Sequence, residues 1–234
     1  MVDHRALAEA LAEFARSLLT DYSIWDVLQQ LGERATELLP VAGAGVMVQG
    51  EDGKLRFASA TDGRITLIET LQIELGEGPC LLAFQTGLPM LVPDLEQAGP
   101  FPKFAKVALD HGMRAVFAFP MTVGNDQIGA FNLYRETPGV LDDEQIAASQ
   151  DLGDAASAFV CNHRALDQAT TLAGQLQYAL DARVLVEQAK GMLAERLGVE
   201  PSDAFELMRG VARRAHRPVR DIARDILAGK FPVD

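Results

Sequence analysis

The sequence predicts an α+β protein: an antiparallel sheet domain flanked by helices, then a long coiled-coil helix and a compact module of three helices. Three observations carry this expectation. Two pairs of β-rich apolar runs are each split by a short Gly- and Asp-containing turn, which demands antiparallel neighbours. From Asp142 the pattern turns helical for more than fifty residues, with no proline before Pro201. Beyond it, two further apolar stripes at helical spacing are separated by the Arg217-Pro218 break. The expected division is a sheet domain over residues 1–160, a connecting coiled-coil helix over 142–183 that overlaps both parts, and the helical module over 170–234.

Each element has its own signal. Leu7, Leu11, Phe14 and Leu18 fall at helical spacing, as do Leu28, Leu31, Ala35 and Leu38, so two amphipathic helices open the chain. Pro40 and Gly43 stop the second. Ala44 to Val48 and Leu55 to Ala60, parted by Glu51-Asp52-Gly53, form a hairpin, and Arg114 to Val123 with Gln127 to Arg135, parted by Gly124-Asn125-Asp126, form another. The Gly- and Pro-rich middle, Thr66 to Ala108, reads as loop, short helix and strand, with an apolar piece at Leu88 to Val92. In the long helix, Leu152, Ala155, Phe159, Asn162, Leu166, Ala169, Ala173, Leu176 and Leu180 alternate three and four apart, a heptad seam with one polar position. Such a seam takes a partner helix from a second subunit, or packs on the protein's own sheet. Ser202 can cap the next helix, whose stripe is Ala204, Leu207, Met208, Val211 and Ala215; Val219 to Leu227 forms the last, with Ile222, Ala223 and Ile226 inward.

Composition excludes several classes. With 48% apolar, 23% charged and 6% aromatic residues the chain is globular. Its longest uncharged stretch, Gly78 to Pro93, is broken by two glycines and three prolines, so no membrane span is expected. Asp3, Glu9 and Glu13 in the first twenty residues are unlike a signal peptide, and a cytoplasmic location is expected. Cys80 and Cys161 stand alone, without a disulfide framework or zinc motif. The four histidines are scattered, and no nucleophile elbow or phosphate loop occurs, so catalysis has no centre and the chain is expected not to be an enzyme. Glu51, Asp52 and Asp94 follow apolar strands like the acids of a phosphate-accepting receiver, but a receiver needs parallel strands, which the hairpins forbid.

The net charge of −12 is unevenly placed. Residues 1–164 hold 11 Lys/Arg against 23 Asp/Glu, whereas residues 165–234 hold 10 of each. Arg209, Arg213, Arg214, Arg217, Arg220 and Arg224 fall within sixteen residues that contain one acid, Asp221, a polyanion-contact pattern. Arg183, Glu187, Lys190 and Ala194 are expected on one face of their helix, with Leu185, Met192 and Leu193 opposite, and Gly191 allows another backbone to come close. Lys190 could equally pair with Glu187, and the Arg209, Arg213, Arg217 row could be a solvated face.

Two resemblances follow from particular residues. Gly76-Glu77-Gly78-Pro79-Cys80 at the start of an irregular middle, with the leading helices, the hairpin and the closing strands, resembles a GAF domain over roughly residues 5–160. That resemblance implies a sensor that can hold a small ligand between sheet and middle loops, near Cys80 and Phe84. The Asn-Lys-Phe-Asp-Glu signature of cyclic-nucleotide binders and the Cys-His pair for bilin are both missing, so no cofactor is assigned and an unknown small ligand stays open. Val186-Glu187-Gln188-Ala189-Lys190-Gly191-Met192-Leu193, Ala204-Phe205-Glu206-Leu207-Met208-Arg209, Ala212-Arg213 and Ile222-Ala223 together resemble an ANTAR domain.

The second resemblance implies RNA binding to paired stem-loops in nascent transcripts, transcription antitermination, a homodimer, and only indirect contact with the transcription machinery. The expected RNA-binding residues are Arg183, Gln188, Lys190, Gly191, Arg209, Arg213, Arg214 and Arg220. The competing expectation is a helix-turn-helix DNA-binding factor with the same sensor, since residues 193–202 look like a first helix and turn. Against it, the would-be recognition helix opens on Asp203-Ala204-Phe205-Glu206, placing carboxylates where phosphates belong.

Overall fold

A computed structural model describes residues 2–18, 23–97 and 99–230, and divides the chain into two compact units, Met1–Ala165 and Leu166–Asp234. The last four residues of the expected 170–234 module lie outside the described residues.

The first unit opens with α1 (His4–Ser17), started by the Asp3 carboxylate accepting the Arg5 and Ala6 N–H groups at 3.0 and 3.1 Å, and α2 (Ile24–Leu38). Then follow β1 (Gly43–Gln49), β2 (Leu55–Ala60), α3 (Gly63–Leu75), α4 (Pro79–Thr86), β3 (Met90–Val92), a 3-10 turn at Leu95–Gln97, α5 (Pro102–Asp110), β4 (Ala115–Val123) and β5 (Asp126–Arg135). The sheet is antiparallel throughout, in the order β2-β1-β5-β4-β3, as the two hairpin signals demand. β4 and β5 are continuously buried over Ala115–Met121 and Ile128–Tyr134 because both faces of the sheet are covered. On one face α1, α2 and the start of the long helix α6 (Asp143–Leu197) bury Phe14, Leu28, Leu31, Phe117, Phe119, Phe131 and Leu152. On the other, α3, α4 and α5 bury Ile65, Ile68, Cys80, Phe104, Val116 and Tyr134.

The middle of this unit departs from expectation. Expected as loop, short helix and strand, it holds the helices α3, α4 and α5 beside the strand, and α3 is its longest piece. The reason is chemical: the buried face of α3 is Ile65, Ile68, Glu69 and Gln72. Two polar side chains on the inward face erase the apolar stripe by which a helix is recognised.

The heptad row also divides. Leu152 and Phe159 are buried in the first unit, where Phe159 meets Phe14 edge-on with ring centroids 6.2 Å apart, so here the helix packs on its own domain. From Asn162 on the same row faces solvent: Leu166, Leu176 and Leu180 are 57, 62 and 55% exposed.

The second unit packs the end of α6 against α7 (Pro201–Ala215) and α8 (Val219–Leu227) around Ala189, Leu193, Ala194, Met208, Ala212, Ile222 and Ile226. Ser202 does not cap α7. The helix starts at Pro201, a position where the missing N–H costs nothing, and Glu200 precedes it without a side-chain cap bond.

Candidate nucleic-acid interface and buried polar site

The expected RNA-binding residues come from all three helices of the second unit. On α6, Arg183, Gln188 and Gly191 are exposed and Lys190 is half-buried. Ala194 is not on their face: it lies in the core beside Leu193 and Ala189, since the inward stripe of α6 is wide enough to include it. Nor does another backbone approach Gly191, where an added Cβ would find nothing within 4 Å. Lys190 forms an ion pair with Glu187, the alternative its spacing allowed.

The arginines of α7 and α8 differ in how they are held. Arg209 pairs with Glu206 at 2.6 Å and lies 5.8 Å from the centroid of the Phe205 ring. Arg217 pairs with Asp225 at 2.8 Å, and Arg224 with Asp221 at 3.1 Å. Arg220 stacks 4.6 Å from the Tyr178 ring of α6, tying the last helix to the long one. Arg183, Arg213 and Arg214 make no ion pair among the described residues. Arg209 and Arg213 line an open recess of about 600 Å³ with His216, Arg217 and the apolar Ala212, Pro218 and Val219. Arg183, Gln188, Lys190, Gly191, Arg214 and Arg220 do not line that recess.

In the first unit, Cys80 is buried and Phe84 half-buried against the Met47, Leu55 and Ala130 cluster. The Cys80 thiol lies 3.3 Å from the Met47 sulfur, and burial pushes its pKa up, the opposite of a reactive thiolate. Beside it is a polar cluster. Glu69 accepts from Asn132 Nδ2 at 2.7 Å and from Gln72 Nε2 at 3.3 Å, and Gln72 Oε1 accepts the Cys80 N–H at 3.0 Å. All three side chains are at most 1% exposed.

Glycines admit the cluster. A Cβ on Gly45 would sit 2.3 Å from Glu69 Oε1, and one on Gly78 would sit 1.9 Å from Gln72 Oε1. Gly45 of β1 pairs with Asn132 of β5, so the carboxyl lies over β1 beside its partner on the neighbouring strand. Desolvation raises the Glu69 pKa from 4.5 to about 7, although its hydrogen bonds oppose this. Burial raises the Tyr134 pKa and the neighbouring Glu69 raises it further; the hydroxyl interacts electrostatically with that carboxyl but falls outside hydrogen-bond geometry, and Asn132 Oδ1 likewise has no hydrogen-bond partner among the described residues. A neutral Glu69 therefore brings a donor to a cluster with acceptors to spare.

Comparison with known proteins decides what these units are. A GAF domain model matches residues 22–160, more than half of the chain. The chain belongs to the GAF family. An ANTAR domain model matches residues 174–227, so the order is GAF, then ANTAR. No curated protein matches the chain. Among solved structures it is similar to the GAF domain of a phosphoenolpyruvate-protein phosphotransferase from Coxiella burnetii, at 14% identity and TM-score 0.57, over 71% of this chain and 99% of that one. It is also similar to a GAF domain/HD domain protein from Geobacter sulfurreducens, at 18% identity and TM-score 0.51, over 62 and 97% of the two chains. A third is free methionine-R-sulfoxide reductase from Neisseria meningitidis in complex with its substrate, at 14% identity and TM-score 0.53, over 71 and 96%. At these identities the likeness is one of fold.

Several residues of both sites escape a reading of the sequence. Glu69, Gln72, Asn132 and Tyr134 of the GAF unit look, in sequence, like ordinary members of a helix and a strand; the one available signal is a Glu and a Gln three apart between Ile68 and Ile73. Tyr178 and Phe205 of the ANTAR unit are legible only as aromatics near arginines. His216 is the sole non-glycine residue with positive φ, +50°, among the described residues, and nothing in sequence announces that.

Proposed function

We propose that this protein is a signal-responsive, RNA-binding regulator that acts by transcription antitermination on paired stem-loops in nascent transcripts, as a homodimer in the cytoplasm, and that it is not an enzyme. The observation that carries this reading is the charge on the ANTAR unit. In a chain of net charge −12, its helices present Arg183, Arg213 and Arg214 without ion-pair partners among the described residues. Exposed, unpaired arginines lower the cost of meeting a phosphate, because no internal carboxylate must be displaced. Gln188, Lys190, Gly191, Arg209 and Arg220 complete the proposed surface, with Lys190 and Arg209 exchanging Glu187 and Glu206 for RNA phosphates. The GAF unit supplies the signal, through an unidentified small ligand beside Cys80 and Phe84 or through its buried polar cluster.

The exposed apolar row of α6, Leu166, Ala169, Ala173, Leu176 and Leu180, supports pairing with a second copy, since a row of this length is unfavourable in water. Residues 142–183 are accordingly proposed as the connecting segment, with the coiled coil confined to its solvent-facing part. Light scattering should give a dimer that Leu176→Glu converts to monomer; a monomeric parent protein would remove the coiled coil.

Crosslinking in cells followed by sequencing of the bound nucleic acid tests the function, with RNA expected and double-stranded DNA fatal to the reading. In titrations against a recovered transcript, Arg213→Ala should weaken binding by about 1.5–3 kcal/mol, as for a charged hydrogen-bond partner. Arg34→Ala is the control, because Arg34 is engaged by Glu13 and Glu37 in the acidic unit. Equal affinities in folded proteins would reduce the basic face to soluble surface.

A further inference from the structure

The recess at the α7–α8 corner has a composition that phosphate contact alone does not require. It is a shallow, solvent-open recess with a volume of about 600 Å³. Arg209, Arg213, His216 and Arg217 surround it, Ala212 and Val219 give it an apolar floor, and no carboxylate lines it. A phosphate backbone can be held by arginines on a convex face. A concave apolar floor ringed by planar cations suits a flat ring that carries a phosphate.

Backbone strain points to the same place. His216 ends α7 at φ +50°, ψ 39°, its N–H bonded to the Ala212 and Arg213 carbonyls. This left-handed conformation costs an ordinary residue energy and is the usual province of glycine. A chain that keeps an imidazole there holds it over the recess at the expense of a better helix stop. Arg209 and Arg217 are steadied by Glu206 and Asp225, which lie outside the lining, whereas Arg213 has no such restraint and is free to meet a ligand.

We infer that this recess takes one unpaired nucleotide of the RNA, its base on the Ala212 and Val219 floor beside the guanidinium planes and its phosphate at Arg213 and His216. The inference rests on the RNA reading above and adds to it a defined subsite for a base turned out of a loop. Bases exposed in loops are the part of an RNA that side chains can stack on and read. The lining is free of acid, so an amine or metal ion has no counter-charge there.

The test uses the full chain and an RNA hairpin that it selects from a library of randomised loops. Each loop nucleotide is then replaced by an abasic residue that keeps its phosphate. One position is expected to lose tenfold or more in affinity with the wild-type protein, and less than twofold with the Arg213→Ala/His216→Gly double variant, the coupling expected of groups in contact. The glycine should relieve the helix end, so the variant stays folded. If hairpins are selected and Arg183→Ala weakens them, but no abasic position couples to the double variant, the subsite is overturned and the RNA reading survives. If no hairpin is selected, both fall. Competition with free nucleoside monophosphates separates the two sources of this chemistry: displacement of the hairpin at micromolar concentration would assign the recess to a diffusible nucleotide and overturn its role in the loop.

Discussion

The two units place their charged chemistry in opposite ways. The GAF unit carries the whole of the excess acid, and its most unusual carboxyl, Glu69, is inside, between a helix and the sheet. The ANTAR unit is neutral in total and displays its arginines outside, over a core of Ala, Leu, Met and Ile. An interior polar group must be matched atom by atom or change its protonation state, whereas a surface arginine costs almost nothing until a ligand meets it. The first arrangement makes a group whose state depends on its surroundings; the second makes a surface whose partner is chosen by charge.

The largest expected effect tests whether the units are thermodynamically separate. Ile226 is fully buried in the small second core, and Ile226→Ala should cost about 2–5 kcal/mol there. Trp25, the one tryptophan, lies on α2, so its fluorescence reports the first unit alone, while helical circular dichroism reports both. A lowered transition by dichroism with the Trp25 transition unmoved is expected; movement of both by the same amount would mean that the units unfold as one and break the comparison.

Next in size is the pH dependence of Glu69. Its pKa rises from 4.5 to about 7 on folding, so the folded state binds the proton more tightly than the unfolded chain. The sign follows: stability is greatest below 4.5 and is lost as pH climbs through about 7. The full effect is about 3 kcal/mol, of which roughly 2 should be lost between pH 5 and 8. Glu69→Gln keeps the shape and cannot ionise, so the Trp25-monitored stability of that variant should be flat over this interval relative to the parent protein. Parallel slopes would show that the buried cluster is not proton-linked.

Much of this architecture is legible in the sequence, and the exceptions share a cause. The hairpins, the outer helices and the two apolar stripes of the ANTAR unit follow local rules of turn chemistry and periodicity. α3 is hidden because Glu69 and Gln72 face inward, and that inward placement depends on Gly45 and Gly78, which lie elsewhere in the chain. Spacing alone groups Leu152 and Phe159 with Leu166 and Leu176, but tertiary burial separates them, since a heptad row does not say which of its residues find a sheet before they find a partner. The Lys190–Glu187 pair, by contrast, is local: the three-residue spacing already offered it as one of two alternatives, and the structure takes it.

The smallest expected effect bears on the outer face itself. Gly191 and Gly174 both sit inside α6, and a methyl group added at either would meet nothing within 4 Å, so in the free protein each is a helix-weakening residue without a packing reason. Alanine at either position should therefore stabilise the helix by about 0.5–1 kcal/mol. The two part company when a partner binds. If RNA approaches the α6 backbone closely beside Lys190, Gly191→Ala should cost affinity while it gains stability, and Gly174→Ala, outside the proposed surface, should leave affinity alone. A gain in stability with unchanged RNA affinity at both positions would remove Gly191 from the interface and leave the contacts to the arginines of α7 and α8.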